Sequence, residues 1–212
     1  MSALRSVAKC ALVLGAVSIL PAAVSAQQRA EFTPFVASYY GLTHLAEGAA
    51  GPFSGNSFTV DQDNAFAVGG RLSFPIGGRL SLEGEFTYAL SGASITETDG
   101  VAAGTDGGIS QSGHLMFGSL RAVVSPRRSN LFLLAGPAII TRGGDAWKGV
   151  KKSDITDFGG VLGFGFRANV TPRVRINFTL ESYLYSFNGG GKNSKFQSDL
   201  LASLGIPIGL SK

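Results

Sequence analysis

Apolar and polar residues alternate along most of this chain. In the stretch RLSLEGEFTYAL, Leu80, Leu82, Phe86, Tyr88 and Leu90 fall on one parity, while Arg79, Ser81, Glu83, Glu85 and Thr87 fall on the other. A repeat of two marks a strand whose two faces meet different surroundings, and helical periodicity is nearly absent. The pattern predicts eight strands: Phe32 to Gly41, Asn64 to Phe74, Arg79 to Ser91, Ser112 to Val124, Asn130 to Thr141, Asp157 to Val170, Arg173 to Phe187 and Gln197 to Leu210. Strands four and five, HLMFGSLRAVV and NLFLLAGPAII, are apolar on both parities, so pattern alone leaves their register open. Arg121 is placed inward.

The connections alternate in length. PIGG, SPRRS and TP are short and rich in proline or glycine, which suits tight hairpins. The connections beginning near Leu42, Gly92, Arg142 and Asn188 are longer and polar or glycine-rich, as in TETDGVAAGTDGG and NGGGKNSK. An even strand count with short and long connections in alternation is the layout of a bacterial outer-membrane barrel, turns in the periplasm and loops outside. The expected fold is therefore all-β, an eight-stranded antiparallel up-and-down transmembrane β-barrel. Closure leaves no sheet edge, which lipid could not satisfy. Leu80 to Leu90 would run about 33 Å, and a tilt of about 40° brings this to roughly 25 Å, the height of the apolar band of such barrels. The outside of the molecule would be greasy and the inside polar. Strand six fits, with Leu162, Phe164, Phe166, Ala168 and Val170 against Val161, Gly163, Gly165, Arg167 and Asn169. Small residues on one face suit a narrow lumen.

Composition narrows the class further. Residues 1–26 read as a cleavable signal peptide: Arg5 and Lys9, then the apolar ALVLGAVSIL, then the small-residue AVSA ending at Ala26. The barrel domain is expected over 27–212, exported through the Sec pathway. Cys10, the single cysteine, falls inside the signal, so the exported chain is expected to have neither disulfides nor thiol chemistry. Removing Arg5 and Lys9 lowers the formal charge from +4 to +2, which takes away any argument for nucleic acid. Charged residues make up 15% of the chain, against about 25% in a typical soluble domain.

FTPFVASYYG as a first strand, GGVLGFGFRANVTPRVRINFTLESYLY as a glycine-rich hairpin and DLLASLGIPIGL as a closing strand resemble the OmpA/OmpX-like eight-stranded barrels, often grouped as the outer membrane protein beta-barrel domain. The resemblance spans Phe32 to Leu210 and implies a Gram-negative outer membrane, a monomer, contact with outer-membrane lipid and lipopolysaccharide, and insertion by the barrel-assembly machinery. It carries no catalytic motif. Such barrels usually end on an aromatic residue, whereas this chain ends GLSK.

Parity places Arg71, Glu83, Glu85, Arg121, Arg167, Arg175 and Glu181 in the lumen. Opposite charges in so narrow a space are expected to pair as a salt-bridged plug, because an isolated buried ion costs several kcal/mol. A narrow ion or solute path is the alternative. Tyr39, Tyr40, Phe74 and Tyr88 are the candidate interfacial aromatics. Trp147 is assigned to an outer loop. His44 and His114 are expected near the outer rim, and since some barrels of this size modify lipid A with a rim histidine, Ser110, Ser112 and Ser119 near His114 keep an enzyme in view. Activating a serine needs a base within reach and a group to orient it, and neither spacing nor a fixed acid is evident. DQDN, Asp61 to Asn64, lacks the glycine and distal glutamate of a calcium loop and reads as solvated loop. No cofactor or metal is expected. The function expected is structural or surface interaction through four external loops, with a soluble ligand-binding barrel of lipocalin type, its apolar faces turned inward, as the remaining alternative.

Overall fold

A computed structural model describes residues 30–49, 57–98, 109–126, 129–147, 155–172, 174–187 and 195–210. The expected signal peptide lies outside the described residues. The strands in chain order are β1 (Glu31–Gly41), β2 (Ala46–Ala49), β3 (Ser57–Gln62), β4 (Ala65–Gly77), β5 (Leu80–Ala89), β6 (Ala93–Thr98), β7 (Ile109–Gln111), β8 (His114–Val124), β9 (Leu131–Gly143), β10 (Ile155–Asn169), β11 (Arg175–Phe187), β12 (Lys195–Gly205) and β13 (Ile208–Gly209).

Eight of them close into a barrel. Each strand pairs antiparallel with its neighbour in the order β1-β4-β5-β8-β9-β10-β11-β12, and β12 returns to β1 with Phe35 opposite Gly205 and Gly41 opposite Asp199. Closure pairs every inner ladder, which an open sheet in lipid could not do. The closing ladder is interrupted where Pro34 and Pro207, neither with an N–H to give, face the seam. Pairing resumes in the same register at β13, Phe32 opposite Ile208.

Parity decides what each side chain meets. On β5, Glu85, Thr87 and Ala89 are buried while Phe86 is 56% exposed and Leu90 just beyond is 73% exposed. The same holds around the ring: Leu133 and Phe158 are exposed between buried Phe132, Leu134 and Asp157. Exposed apolar side chains in a continuous band mark the face that meets lipid. The soluble lipocalin-type alternative, with apolar faces inside, is thereby overturned. The open registers of strands four and five are settled too. Leu115, Phe117, Arg121 and Val123 of β8 point inward, as do Phe132, Leu134, Ala138, Ile140 and Arg142 of β9. The mixed parity arises because most inward positions of these two strands are themselves apolar.

Two long connections contain strands where loops were expected. β2, β3, β6 and β7 form a second sheet in that order. β3 and β6 continue the β4–β5 hairpin past the barrel rim, with Gln62 opposite Ala93 above Ala67 opposite Ala89. Within DQDN, Asp61 and Gln62 thus belong to β3 rather than to a solvated loop. Gln62 is buried and its amide Nε2 donates to Gly92 O at 2.7 Å and Ser91 Oγ at 2.8 Å, while Ser94 Oγ donates to Asp63 Oδ1 at 2.5 Å. These side-chain bonds tie the extension to the rim and explain why so polar a segment is ordered.

Candidate functional site

The barrel interior is stacked in three levels, each built from inward positions on several strands. At the middle level Arg71 comes from β4, Glu85 from β5, Arg121 from β8 and Glu181 from β11, all buried. Arg71 Nε lies 2.6 Å from Glu85 Oε2 and its Nη2 2.8 Å from Glu181 Oε1. Arg121 Nη2 lies 2.7 Å from the same Glu85 oxygen and 2.6 Å from Glu83 Oε1, and Nη1 lies 2.9 Å from Glu181 Oε2. That last contact is an ion pair whose N–H is not aimed along the hydrogen-bond direction. Neutral groups complete the set: Arg71 donates to Ser203 Oγ at 2.7 Å, and Tyr183 donates to Glu85 Oε1 at 2.7 Å. Charge-assisted bonds to every carboxylate are what permits ions at buried positions. Phe35 lies against the Arg71 guanidinium at 4.1 Å, a cation over an aromatic face.

Toward the outer end sits a second cluster that parity reading missed. β9 runs on past Thr141, so Arg142 is an inward strand residue and not the start of a loop. It is buried, with Nη1 2.9 Å from Asp157 Oδ2 and Nη2 3.8 Å from Asp199 Oδ2, and it donates to the Tyr185 hydroxyl, which in turn donates to Asp199 at 2.7 Å. The signal was present, since Asp199 shares parity with Ser203 and Tyr185 with Glu181. Between the two clusters the rings of Tyr39, Phe117 and Tyr183 pack at tilted angles, with centroids 5.6 and 4.7 Å apart.

Above Arg142 the chain folds back over the mouth. Gly144 takes a positive φ of 99°, and a side chain there would stand 2.8 Å from Gly113 Cα. That turn carries the 3-10 segment Asp145–Trp147 inward, held by Ala146 N donating to Ser112 O at 3.0 Å. Trp147 is therefore buried against Phe187 and Arg142 instead of standing in an exposed loop.

At the opposite end, where the short turns lie, Arg175 Nη2 meets Glu31 Oε1 at 2.5 Å. Arg167 donates to Ser125 Oγ at 3.1 Å and stacks on Phe132 at 4.7 Å. The seven charges assigned to the lumen thus divide: Arg71, Glu83, Glu85, Arg121 and Glu181 meet at the middle, whereas Arg167 and Arg175 lie at the mouth.

Of the four aromatics assigned to the interface, Tyr40 and Phe74 are exposed on the outer face and Tyr88 is half-buried there. Tyr39 is the correction. It precedes Tyr40 on the same strand, so it must point the other way, and it is 1% exposed inside the barrel. His114 stacks on Tyr88 at 5.7 Å on the outer face, while Ser119 faces inward on the same strand. Exposed His44 binds Asp61 through Nδ1. Among the described residues no group of three or more His, Cys, Asp or Glu side chains is placed to hold a metal.

The family described as "Outer membrane protein beta-barrel domain" matches residues 11–205, which takes in every strand of the ring to the last residue of β12. The chain belongs to that family. The family places it in the bacterial outer membrane, as a porin-like transmembrane barrel of the Gram-negative cell envelope. Among solved structures it is similar to Neisserial surface protein A at 13% identity, covering 85% of this chain and 99% of that one, with a TM-score of 0.46. OprG from Pseudomonas aeruginosa matches at 11% identity over 86% and 97% of the two chains, with a TM-score of 0.49. Ail of Yersinia pestis matches at 12% over 85% and 99%, with a TM-score of 0.44. At these identities and scores the likeness carries no functional argument, and the assignment rests on the family match. A search of curated proteins finds no match.

Proposed function

We propose that this outer-membrane barrel is a non-conducting, non-enzymatic scaffold whose plugged lumen holds the ring rigid while its external face makes surface contacts. The observation that carries this reading is the middle cluster, where Arg71 and Arg121 from one wall grip Glu181 on the other. An eight-stranded ring leaves an interior that side chains just fill. Ions paired from wall to wall occupy the path that a permeant solute would need. The Arg142 cluster and the Trp147 cover add two further layers above it. The second sheet, built onto the rim, is the surface offered to a partner. Export would begin with removal of 1–26 and end with insertion by the assembly machinery. The barrel then sits as a monomer among lipid and lipopolysaccharide.

The test is electrical. Purified protein in a planar bilayer should give no discrete conductance steps. Steps that disappear in Glu83→Gln would overturn the scaffold reading in favour of a channel. The separate possibility of a lipid A-modifying enzyme is tested by the mass spectrum of lipid A, which should be the same for wild type and His114→Ala.

A further inference from the structure

We propose that the short-turn mouth of the barrel holds a binding site for a phosphate-class oxyanion, built on Arg79, Arg167 and Arg175. The three arginines line a pocket of about 400 Å³ in which Glu31 is the lone carboxylate among the lining residues. The site therefore carries a surplus of positive charge, unlike the two clusters above it, where each guanidinium is matched by acids.

Arg167 is fixed without being neutralised by an ion pair, and Arg175 keeps one donor unpaired. Arg167 rests on the Phe132 ring and is steadied by the neutral Ser125 hydroxyl, and among the described residues no carboxylate lies within ion-pair distance of it. Arg175 gives one arm to Glu31, while its Nε–H is buried and has no hydrogen-bond partner among the described residues. A buried donor left unpaired is costly, and an arriving acceptor would remove that cost. Ser73, Ser81 and Ser125 add hydroxyls around the same pocket. Guanidinium forks with several hydroxyls suit an anion with three or four acceptor oxygens, which is phosphate rather than a carboxylate. Gly77 and Gly78 line the pocket at the turn, and a side chain at either would meet nothing within 4 Å. The mouth faces the periplasm, where the anion could be free phosphate or the phosphodiester of an inner-leaflet lipid headgroup. Both present the same chemistry to the site.

The test uses the mature barrel refolded in dodecyl maltoside, which carries no phosphate, with inorganic phosphate titrated while the arginine Nε–H signals are followed by NMR. Saturable shifts are expected for Arg167 and Arg175, with binding weakened about tenfold in Arg167→Gln and less in Ser125→Ala, which keeps the charge. Absence of a saturable shift, or binding undiminished in both variants, overturns the site. Heat-modifiable gel mobility establishes that each variant is folded, and Arg79→Gln at the exposed turn replaces Arg167→Gln should that one not fold. In phospholipid nanodiscs, signals already at their bound positions before phosphate is added identify the headgroup as the source. Signals that move only on addition identify free phosphate.

Discussion

Arg121 reaches across the barrel to Glu181: Nη1 and Oε2 are 2.9 Å apart although β9 and β10 separate their strands in the ring. Arg71 takes the other oxygen of Glu181 from the far side, past β1 and β12. One carboxylate is thus the point where both halves of the ring are tied.

Glu181→Gln should therefore destabilise the barrel far more than a surface change. It leaves two buried guanidiniums sharing Glu85 and Glu83, and breaking a buried pair on one side costs about 3–5 kcal/mol. Urea unfolding in lipid vesicles measures this directly. A loss below about 1 kcal/mol would mean that the tie contributes little to holding the ring, since exposed pairs are worth no more than that.

The cover over the outer mouth can be read from one residue. Trp147 is the only tryptophan in the chain, and it is 4% exposed against Phe187. Its emission should be blue-shifted and weakly quenched by iodide, and Phe187→Ala should shift it red while the barrel stays heat-modifiable. Emission of the wild type at the wavelength of free indole would place the segment outside the mouth.

Substitutions on the greasy face should follow depth. Leu162, half-way along β10 and 51% exposed, meets the middle of the lipid, whereas Phe158 stands nearer the outer end. Leu162→Arg should cost about 2–4 kcal/mol and Phe158→Arg about 0–1, measured by reversible unfolding in vesicles. Equal costs would be inconsistent with a membrane around this face.

How much of this was legible follows from parity. Wherever one face is polar, as in Glu83, Glu85 and Thr87, a repeat of two assigns inside and outside without further information. Parity failed where both faces are apolar. Phe117 and Leu115 are apolar although they point inward, so this part of β8 carries no contrast. Arg142 was lost for a different reason: glycines after it suggested a loop, and strand ends are set by ladder bonds that composition does not record. Tyr39 stands near a loop as an interfacial aromatic would, but alternation with Tyr40 turns it inward. Strands β2, β3, β6 and β7 are short, and side-chain hydrogen bonds of Gln62 and Ser94 join β3 and β6 at the rim, which composition does not record.

Glycine supplies the last prediction, because it sets where Arg121 stands. Pro137 on β9 cannot donate to β8, and the ladder between Ser119–Ala138 and Ala122–Ala135 is broken there. Gly136, beside it, lets the backbones close in: a side chain at this position would lie 2.1 Å from Leu120 O and 2.6 Å from Arg121 Cα. Backbone cannot yield as a flexible side chain can. Gly136→Ala should push β8 outward, draw Arg121 from Glu85 and Glu181, and cost at least the about 1–3 kcal/mol typical of overpacking. Gly84→Ala on the outer face of β5, where a side chain would meet nothing within 4 Å, is the matched control and should leave stability unchanged. Unfolding curves for the two variants compare a close approach with open space, and equal stability would show that β8 is not held by Gly136.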